Sequence, residues 1–228
     1  MKKYETFLFD ADGTLFDYDM AEENALKTMF VKFDITYTNA IRQKYREINA
    51  EIWKKYEKGE NTQDELQTLR FAQLFGEINV DCNAEKFNQQ YLAELAKGIF
   101  LIDGALEICK KIAASNKKIY IVTNGNLSTQ KPRVENSAIS ELISDFFISE
   151  GVGFRKPQAA YFDYVFSHIS QTDKSKIIIV GDSLSADIAG GNVAGIDSCW
   201  YNPDGAANNT DIVPTYEIAK LSELGEFI

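Results

Sequence analysis

Tyr4 to Phe9 is a short, largely apolar run that stops at Asp10, where a tight polar turn follows, Asp10-Ala11-Asp12-Gly13-Thr14. A run of this length bounded by a turn reads as a buried, parallel strand with two aspartates at its carboxyl end. The texture then changes. From about Met20 to Gly98 no strand-like run occurs, and apolar residues recur at helical spacing. Ala25, Leu26, Met29, Phe30 and Phe33 share one face, and Thr38 starts a second helix through Ile41, Tyr45, Ile48, Ile52 and Tyr56, which Gly59 ends. Thr62 with Glu65 makes a capping box ahead of Leu66, Leu69, Phe71 and Leu74, and a fourth helix runs from about Ala84 to Lys97. Four short-looped amphipathic helices predict a small helical domain.

From Leu101 strands and helices alternate. The pattern predicts a helix over 104–114, a strand over 118–122 ending at Thr123-Asn124-Gly125, and a helix over 128–137. A short helix at 140–143, a strand at 146–148, a helix over 157–168 and a strand over 176–180 follow, the last ending at Gly181-Asp182-Ser183. A helix over 185–194, short strands at 197–200 and 211–213, and a terminal helix over 216–224 complete the chain. Such alternation implies right-handed crossovers onto a parallel sheet covered on both faces. The expected fold class is α/β, a doubly wound parallel sheet interrupted after its first strand by a helical insertion. The α/β core is expected over 1–16 and 99–228 and the inserted helical domain over 17–98.

Composition narrows the partners. Over 228 residues, 24 Lys and Arg face 34 Asp and Glu, a net charge of −10, which gives no general attraction to a nucleic-acid polymer. A small anionic ligand needs only a local positive site. Cys82, Cys109 and Cys199 are widely spaced and odd in number, so neither a disulfide framework nor a CxxC metal site is expected. No signal-like or membrane-spanning apolar run occurs, and the reading is a soluble cytoplasmic protein.

Candidate chemistry falls at the carboxyl ends of the predicted strands, where open parallel sheets bind ligands. Asp10 and Asp12 follow the first strand, Thr123 and Asn124 the second, Asp182 and Ser183 the fourth. Lys156 enters from a loop just before Pro157, and Asp187 lies near the start of the next helix. Several carboxylates converging with one lysine repel unless something neutralises them. A hard divalent cation with oxygen ligands does so, and Mg²⁺ is the natural choice where water and a phosphate complete the shell. Asp10 and Asp182 are the expected side-chain ligands, with Asp12 contributing through its carbonyl and Asp187 directly or through water. His168 is the only histidine, which excludes zinc chemistry and a Ser-His-Asp triad.

Phe9-Asp10-Ala11-Asp12-Gly13-Thr14-Leu15, Thr123-Asn124-Gly125, Arg155-Lys156-Pro157 and Gly181-Asp182-Ser183 with Asp187 resemble, in order and spacing, the four motifs of the haloacid dehalogenase-like phosphohydrolases. The insertion after the first motif is similar to that family's four-helix cap. Ile148 to Gly153, Asp187 to Gly191 and Cys199 to Pro203 resemble a bacterial subgroup of pyrimidine 5′-nucleotidases that also remove non-canonical nucleoside monophosphates. One departure is Gly13, where those nucleotidases often carry an acidic residue.

The resemblance implies a Mg²⁺-dependent phosphomonoester hydrolase working through an aspartyl-phosphate. Asp10 would be the nucleophile and Asp12 the general acid and then base, while Thr123, the amides after it and Lys156 would hold the phosphoryl oxygens. Asp12 also argues for phosphate ester cleavage over carbon–halogen cleavage, whose leaving group needs no proton. Specificity is expected from the cap. Asn49 and Trp53 lie four residues apart on the second cap helix, suited to reading and stacking on a base. Arg70, Asn124, Gly125 and Asn126 are further substrate-binding candidates, with Asp17 and Tyr18 where the chain climbs into the cap. The expected partner is a small phosphorylated metabolite, a nucleoside monophosphate, with neither nucleic acid nor membrane, and the expected state a monomer or weak homodimer. The alternatives are a phosphatase for phosphoglycolate or sugar phosphates, a phosphosugar mutase, for which the cap shows no dense basic surface, and a non-catalytic phosphate-binding or regulatory protein of the same fold.

Overall fold

Six strands form one parallel sheet in the order β3-β2-β1-β4-β5-β6 in the computed structural model, which describes residues 2–228. They are β1 (Thr6–Phe9), β2 (Lys118–Thr123), β3 (Asp145–Ile148), β4 (Ile177–Gly181), β5 (Asp197–Tyr201) and β6 (Tyr216–Ile218). The central strand β1 pairs with β2 on one side and β4 on the other, Phe9 lying opposite both Ile121 and Val180. Chain order reverses at β1, which places Asp10 and Asp182 side by side at the switch point.

Burial on both faces explains the Ile- and Phe-rich strands. On one face Phe7, Phe9, Ile119, Ile121, Ile178 and Val180 pack against α5 (Ala105–Ala114) through Ile108, Cys109 and Ile112, and against Leu221, Leu224 and Phe227 of a C-terminal 3₁₀ segment. On the other, Leu8, Tyr120, Val122, Ile177 and Ile179 meet Tyr161, Phe162 and Val165 of α8 (Ala159–His168). Between these lie α6 (Leu127–Glu135), the single-turn α7 (Ser149–Val152) and α9 (Ala189–Ala194), the last preceded by a π-turn over Leu184–Ile188.

The chain divides into two compact units: residues up to Tyr18 with Ile99–Ile228, and Asp19–Gly98. The second unit is helical, built of α1 (Tyr18–Lys32), α2 (Asn39–Glu57), α3 (Gln63–Glu77) and α4 (Ala84–Leu95). Thr38 caps α2 by accepting from the Ile41 amide, and Thr62 and Glu65 form both halves of the capping box of α3. Its interior is aromatic, with Phe71 and Phe87 at 4.7 Å between ring centres and Phe30, Phe75, Tyr45 and Tyr91 around them. No helix among the described residues is long and apolar enough to cross a membrane.

The C-terminus departs from the sequence pattern. Residues 211–213 are not a strand: Val213 is exposed, and Pro214 behind it has no amide to give a ladder. The sixth strand instead occupies 216–218, where a helix is expected. Thr215 and Ser198 exchange backbone-to-hydroxyl hydrogen bonds that dock this segment beside β5, and only a 3₁₀ segment follows.

Candidate active site

Strand β1 delivers Asp10 to the sheet rim, its amide donating to the Val180 carbonyl. Lys156 Nζ reaches the same point from below. It donates to Asp10 Oδ1 at 2.6 Å, Asp187 Oδ1 at 2.6 Å and the Val122 carbonyl at 2.7 Å. Those three bonds use the three protons of an ammonium. Asn124 holds the lysine's backbone reciprocally: the Lys156 amide donates to Asn124 Oδ1 at 2.8 Å, and Asn124 Nδ2 donates to the Lys156 carbonyl at 2.9 Å. Asn124 therefore faces the loop that carries the lysine.

Asp187 is buried, with Oδ1 on Lys156 and Oδ2 accepting from the Ser183 amide. Asp182 stands at the solvent side of the rim. The Trp200 indole donates to its carbonyl at 2.8 Å, and Thr14 donates to its Oδ1. Gly13 makes the turn between Asp12 and Thr14 at φ +80°, and a Cβ there would lie 2.5 Å from Asp182 Oδ2. The Thr123 hydroxyl accepts from the Gly125 amide, which leaves its proton available to a ligand.

Oxygens of Asp10, Asp182 and Asp187 all lie within 4.8 Å of one another, three carboxylates against one ammonium. Burial pushes the Asp10 carboxyl well above the usual carboxylate range; Lys156 pulls it down, and Asp187 and Asp182 push it back up. Desolvation, then the charge of Asp187, pushes the Asp182 carboxyl up to about 7. Burial alone would drive Lys156 toward its neutral form, but Asp10 and Asp187 hold it above the ordinary lysine value. The raised lysine and the mutual repulsion of the carboxyls both point to a cluster short of positive charge. A hard oxygen donor set of this kind fits a divalent cation such as Mg²⁺.

Asp12 stands apart from that cluster of three. Its carboxylate is ion-paired to Arg133 and accepts from Gln130 Nε2, both on α6. Neither residue stands out in the sequence. The available signal is position: a glutamine and an arginine three apart, just behind the Thr-Asn-Gly turn and beside the buried Val134. Asn126 serves as the N-cap of α6, accepting from the Thr129 amide at 2.9 Å. Asp17 closes the α/β unit, its amide donating to the Phe100 carbonyl, and Tyr18 begins α1.

The helical unit separates the remaining candidates. Arg70 is buried inside it, donating through Nε and Nη2 to Asn88 Oδ1 at 3.1 and 2.7 Å, with its guanidinium 5.1 Å from the Tyr91 ring. Trp53 is partly exposed and meets the buried Tyr56 edge-on at 5.6 Å. Asn49 is buried, and its Oδ1 has no hydrogen-bond partner among the described residues.

A family model for haloacid dehalogenase-like hydrolases matches residues 4–195. The chain is 42% identical to the HAD-hydrolase YfnB of Bacillus subtilis over 98% of its own length and 95% of that protein's. The crystal structure of YfnB bound to magnesium superposes with a TM-score of 0.94, covering 99% of this chain and 98% of the other at 41% identity. The pyrimidine 5′-nucleotidases PynA of Streptococcus pneumoniae and YjjG of Escherichia coli are 33% and 32% identical, over 97% and 99% of this chain and 93% and 98% of theirs.

Proposed function

Because this chain belongs to the haloacid dehalogenase-like hydrolases, we propose that it is a Mg²⁺-dependent phosphomonoester hydrolase acting on nucleoside 5′-monophosphates with pyrimidine or non-canonical bases. The observation that carries the chemistry is the cluster of Asp10, Asp182 and Asp187 around a single buried lysine. Asp10 and Asp182 side chains and the Asp12 carbonyl are assigned to the cation, with Asp187 beside them. When bound, Mg²⁺ supplies positive charge against the phosphoryl oxygens.

Each protein group then has a task. Lys156 occupies Asp10 Oδ1, so Oδ2 is assigned as the atom that attacks phosphorus, forming an aspartyl-phosphate as the ester P–O bond breaks. Asp12 gives a proton to the departing oxygen and later takes one from the water that hydrolyses the phosphoenzyme. The Thr123 hydroxyl and the amides after it are assigned to the phosphoryl oxygens, whereas Lys156, its three protons taken by Asp10, Asp187 and the Val122 carbonyl, is assigned to hold the nucleophile in place instead of reaching those oxygens.

The substrate class is carried over from PynA and YjjG, which are pyrimidine 5′-nucleotidases. The groups assigned here in the α/β unit act on the phosphoryl group alone, so base selection is assigned to the helical unit. Asn49 and Trp53 support it best, one with an unpartnered oxygen and one a partly exposed aromatic one turn further along the same helix. Free thiols at Cys82, Cys109 and Cys199 suit the cytoplasm, where we place a monomer or weak homodimer.

The test is a panel of uridine and thymidine monophosphates, phosphoglycolate and sugar phosphates, each with Mg²⁺ and with chelator. The nucleotides should give the highest kcat/KM, and chelator should abolish turnover. A preference for phosphoglycolate would overturn the substrate class. Full turnover in chelator, or more than a few per cent of the wild-type rate in Asp10→Asn, would overturn the mechanism.

A further inference from the structure

The pair of residues that holds Asp12 is built with unusual care for a surface turn. Gln130 and Arg133 are 2% and 0% exposed, three residues apart on one face of α6. Arg133 Nη1 binds Asp12 Oδ1 and also donates to Gln130 Oε1 at 3.3 Å, while Gln130 Nε2 binds Asp12 Oδ2. The guanidinium lies 5.0 Å from the Phe16 ring. Burying a guanidinium is costly unless its partners are well placed. Gly125 is shaped to the same end: a Cβ there would sit 2.5 Å from Gln130 Cγ and 2.6 Å from its Nε2, so any side chain at 125 pushes Gln130 off Asp12.

We propose that Gln130 and Arg133 are positioning residues for the proton transfer, with Gly125 leaving the room they need. The two contacts make the oxygens of Asp12 unequal. Oδ1 faces a cation and Oδ2 a neutral amide, and Oδ2 retains lone-pair capacity beyond that bond. Both oxygens are thus held in place, and Oδ2, with its remaining lone pair, is assigned to the proton transfer with the leaving oxygen. Donation leaves Asp12 as a carboxylate paired with Arg133, and the alcohol departs neutral. The inference rests on the reading of Asp12 as proton carrier.

The test compares uridine monophosphate, whose alkoxide needs a proton to leave, with para-nitrophenyl phosphate, whose phenolate does not. Values of kcat/KM report each ester up to its first irreversible step. In Gln130→Met the ratio of uridine monophosphate to nitrophenyl ester should fall about tenfold, a part of the about 10²–10⁴ that general acid–base catalysis supplies. Arg133→Lys, which keeps the charge but offers no planar fork, should shift the ratio in the same direction and serves where Gln130→Met does not fold. In an Asp12→Asn background neither change should lower the ratio further. If Asp12→Asn lowers the ratio while Gln130→Met and Arg133→Lys depress both esters alike, the positioning role is overturned and the reading of Asp12 stands. If Asp12→Asn itself depresses both esters alike, the proton-carrier reading is overturned and the positioning role falls with it.

Discussion

Lys156→Met tests the electrostatic logic of the site most directly. The substitution keeps much of the side chain's volume and removes the ammonium that touches Asp10 and Asp187. Both contacts are 2.6 Å, and the three side chains are 1%, 11% and 1% exposed, so water cannot take the ammonium's place. Removing one partner of a buried ion pair costs about 3–5 kcal/mol, and two carboxylates are orphaned here, which argues for the upper part of that range. The Val122 carbonyl also loses its donor, which costs about 1 kcal/mol more. For a chain of this length about 5 kcal/mol corresponds to a fall of roughly 10–20 °C in Tm. The assay is a thermal melt of wild type and variant in chelator and again in Mg²⁺. A divalent cation can supply part of the missing charge, so Mg²⁺ should raise Tm further in the variant than in wild type. The penalty in chelator should also shrink as pH falls, because Asp10 and Asp182 can then shed their repulsion by taking protons. A fall of less than about 3 °C in chelator, with equal Mg²⁺ shifts in the two proteins, would refute the claim that Lys156 neutralises this cluster.

Three further outcomes follow from the same geometry. Asp10 and Asp182 titrate higher in the folded chain than unfolded, so between about 4 and about 7 the native state binds more protons, and in chelator Tm should rise as pH falls through that window. A melt in chelator that weakens steadily from about pH 8 to about pH 5 would contradict this, and Mg²⁺ should flatten the dependence. Arg70→Met leaves Asn88 Oδ1 without its two donors and should cost about 2–3 kcal/mol of stability while the preference among phosphate esters stays unchanged; an altered preference at unchanged Tm would make Arg70 a substrate group. Gly13→Ala meets both a φ of +80° and Asp182 Oδ2 at 2.5 Å, so the Mg²⁺ concentration for half-maximal activity should rise several-fold, and an unchanged value would show that Asp182 shifts at no cost.

What the sequence discloses follows from how local each signal is. Asp10, Asp12 and Asp182 are legible because each follows a short buried strand that ends abruptly, with Asp187 in the helical turn behind the last, and the parallel topology brings such ends to one rim. The four helices of Asp19–Gly98 are legible from period and caps, Thr38 and Thr62 included. The last strand is not. Ile212-Val213 looks like a strand core, yet Tyr216–Ile218 takes that state through its neighbour β5, a decision made by pairing rather than by local preference. Gln130 and Arg133 are equally hidden, because nothing near them announces that they meet a carboxylate 118 and 121 positions away. Arg70 shows the converse: an arginine beside a phenylalanine reads as a ligand group or surface pair, whereas the aromatic interior of the helical unit takes it in over Tyr91.

The residues around the rim divide by charge. The ionisable groups, Asp10, Asp12, Lys156, Asp182 and Asp187, are assigned to chemistry with the Thr123 hydroxyl, and several are held by a neutral neighbour from another segment: the Lys156 backbone by Asn124, the Asp182 carbonyl by Trp200, the Asp12 carboxyl by Gln130. A neutral amide or indole can fix the segment that carries an ionisable group without adding charge to a cluster already out of balance. A third layer is steric, since Gly125 is required by the reach of Gln130 rather than by its own backbone angles. The Thr123-Asn124-Gly125 turn therefore serves three different ends in consecutive positions. Its hydroxyl is free to donate, its amide side chain anchors the lysine loop, and its missing side chain lets α6 reach Asp12. Substitutions at these neutral positions should therefore alter how the ionised groups are aimed while leaving their identity intact, a distinction that comparison of leaving groups can expose and loss of total activity cannot.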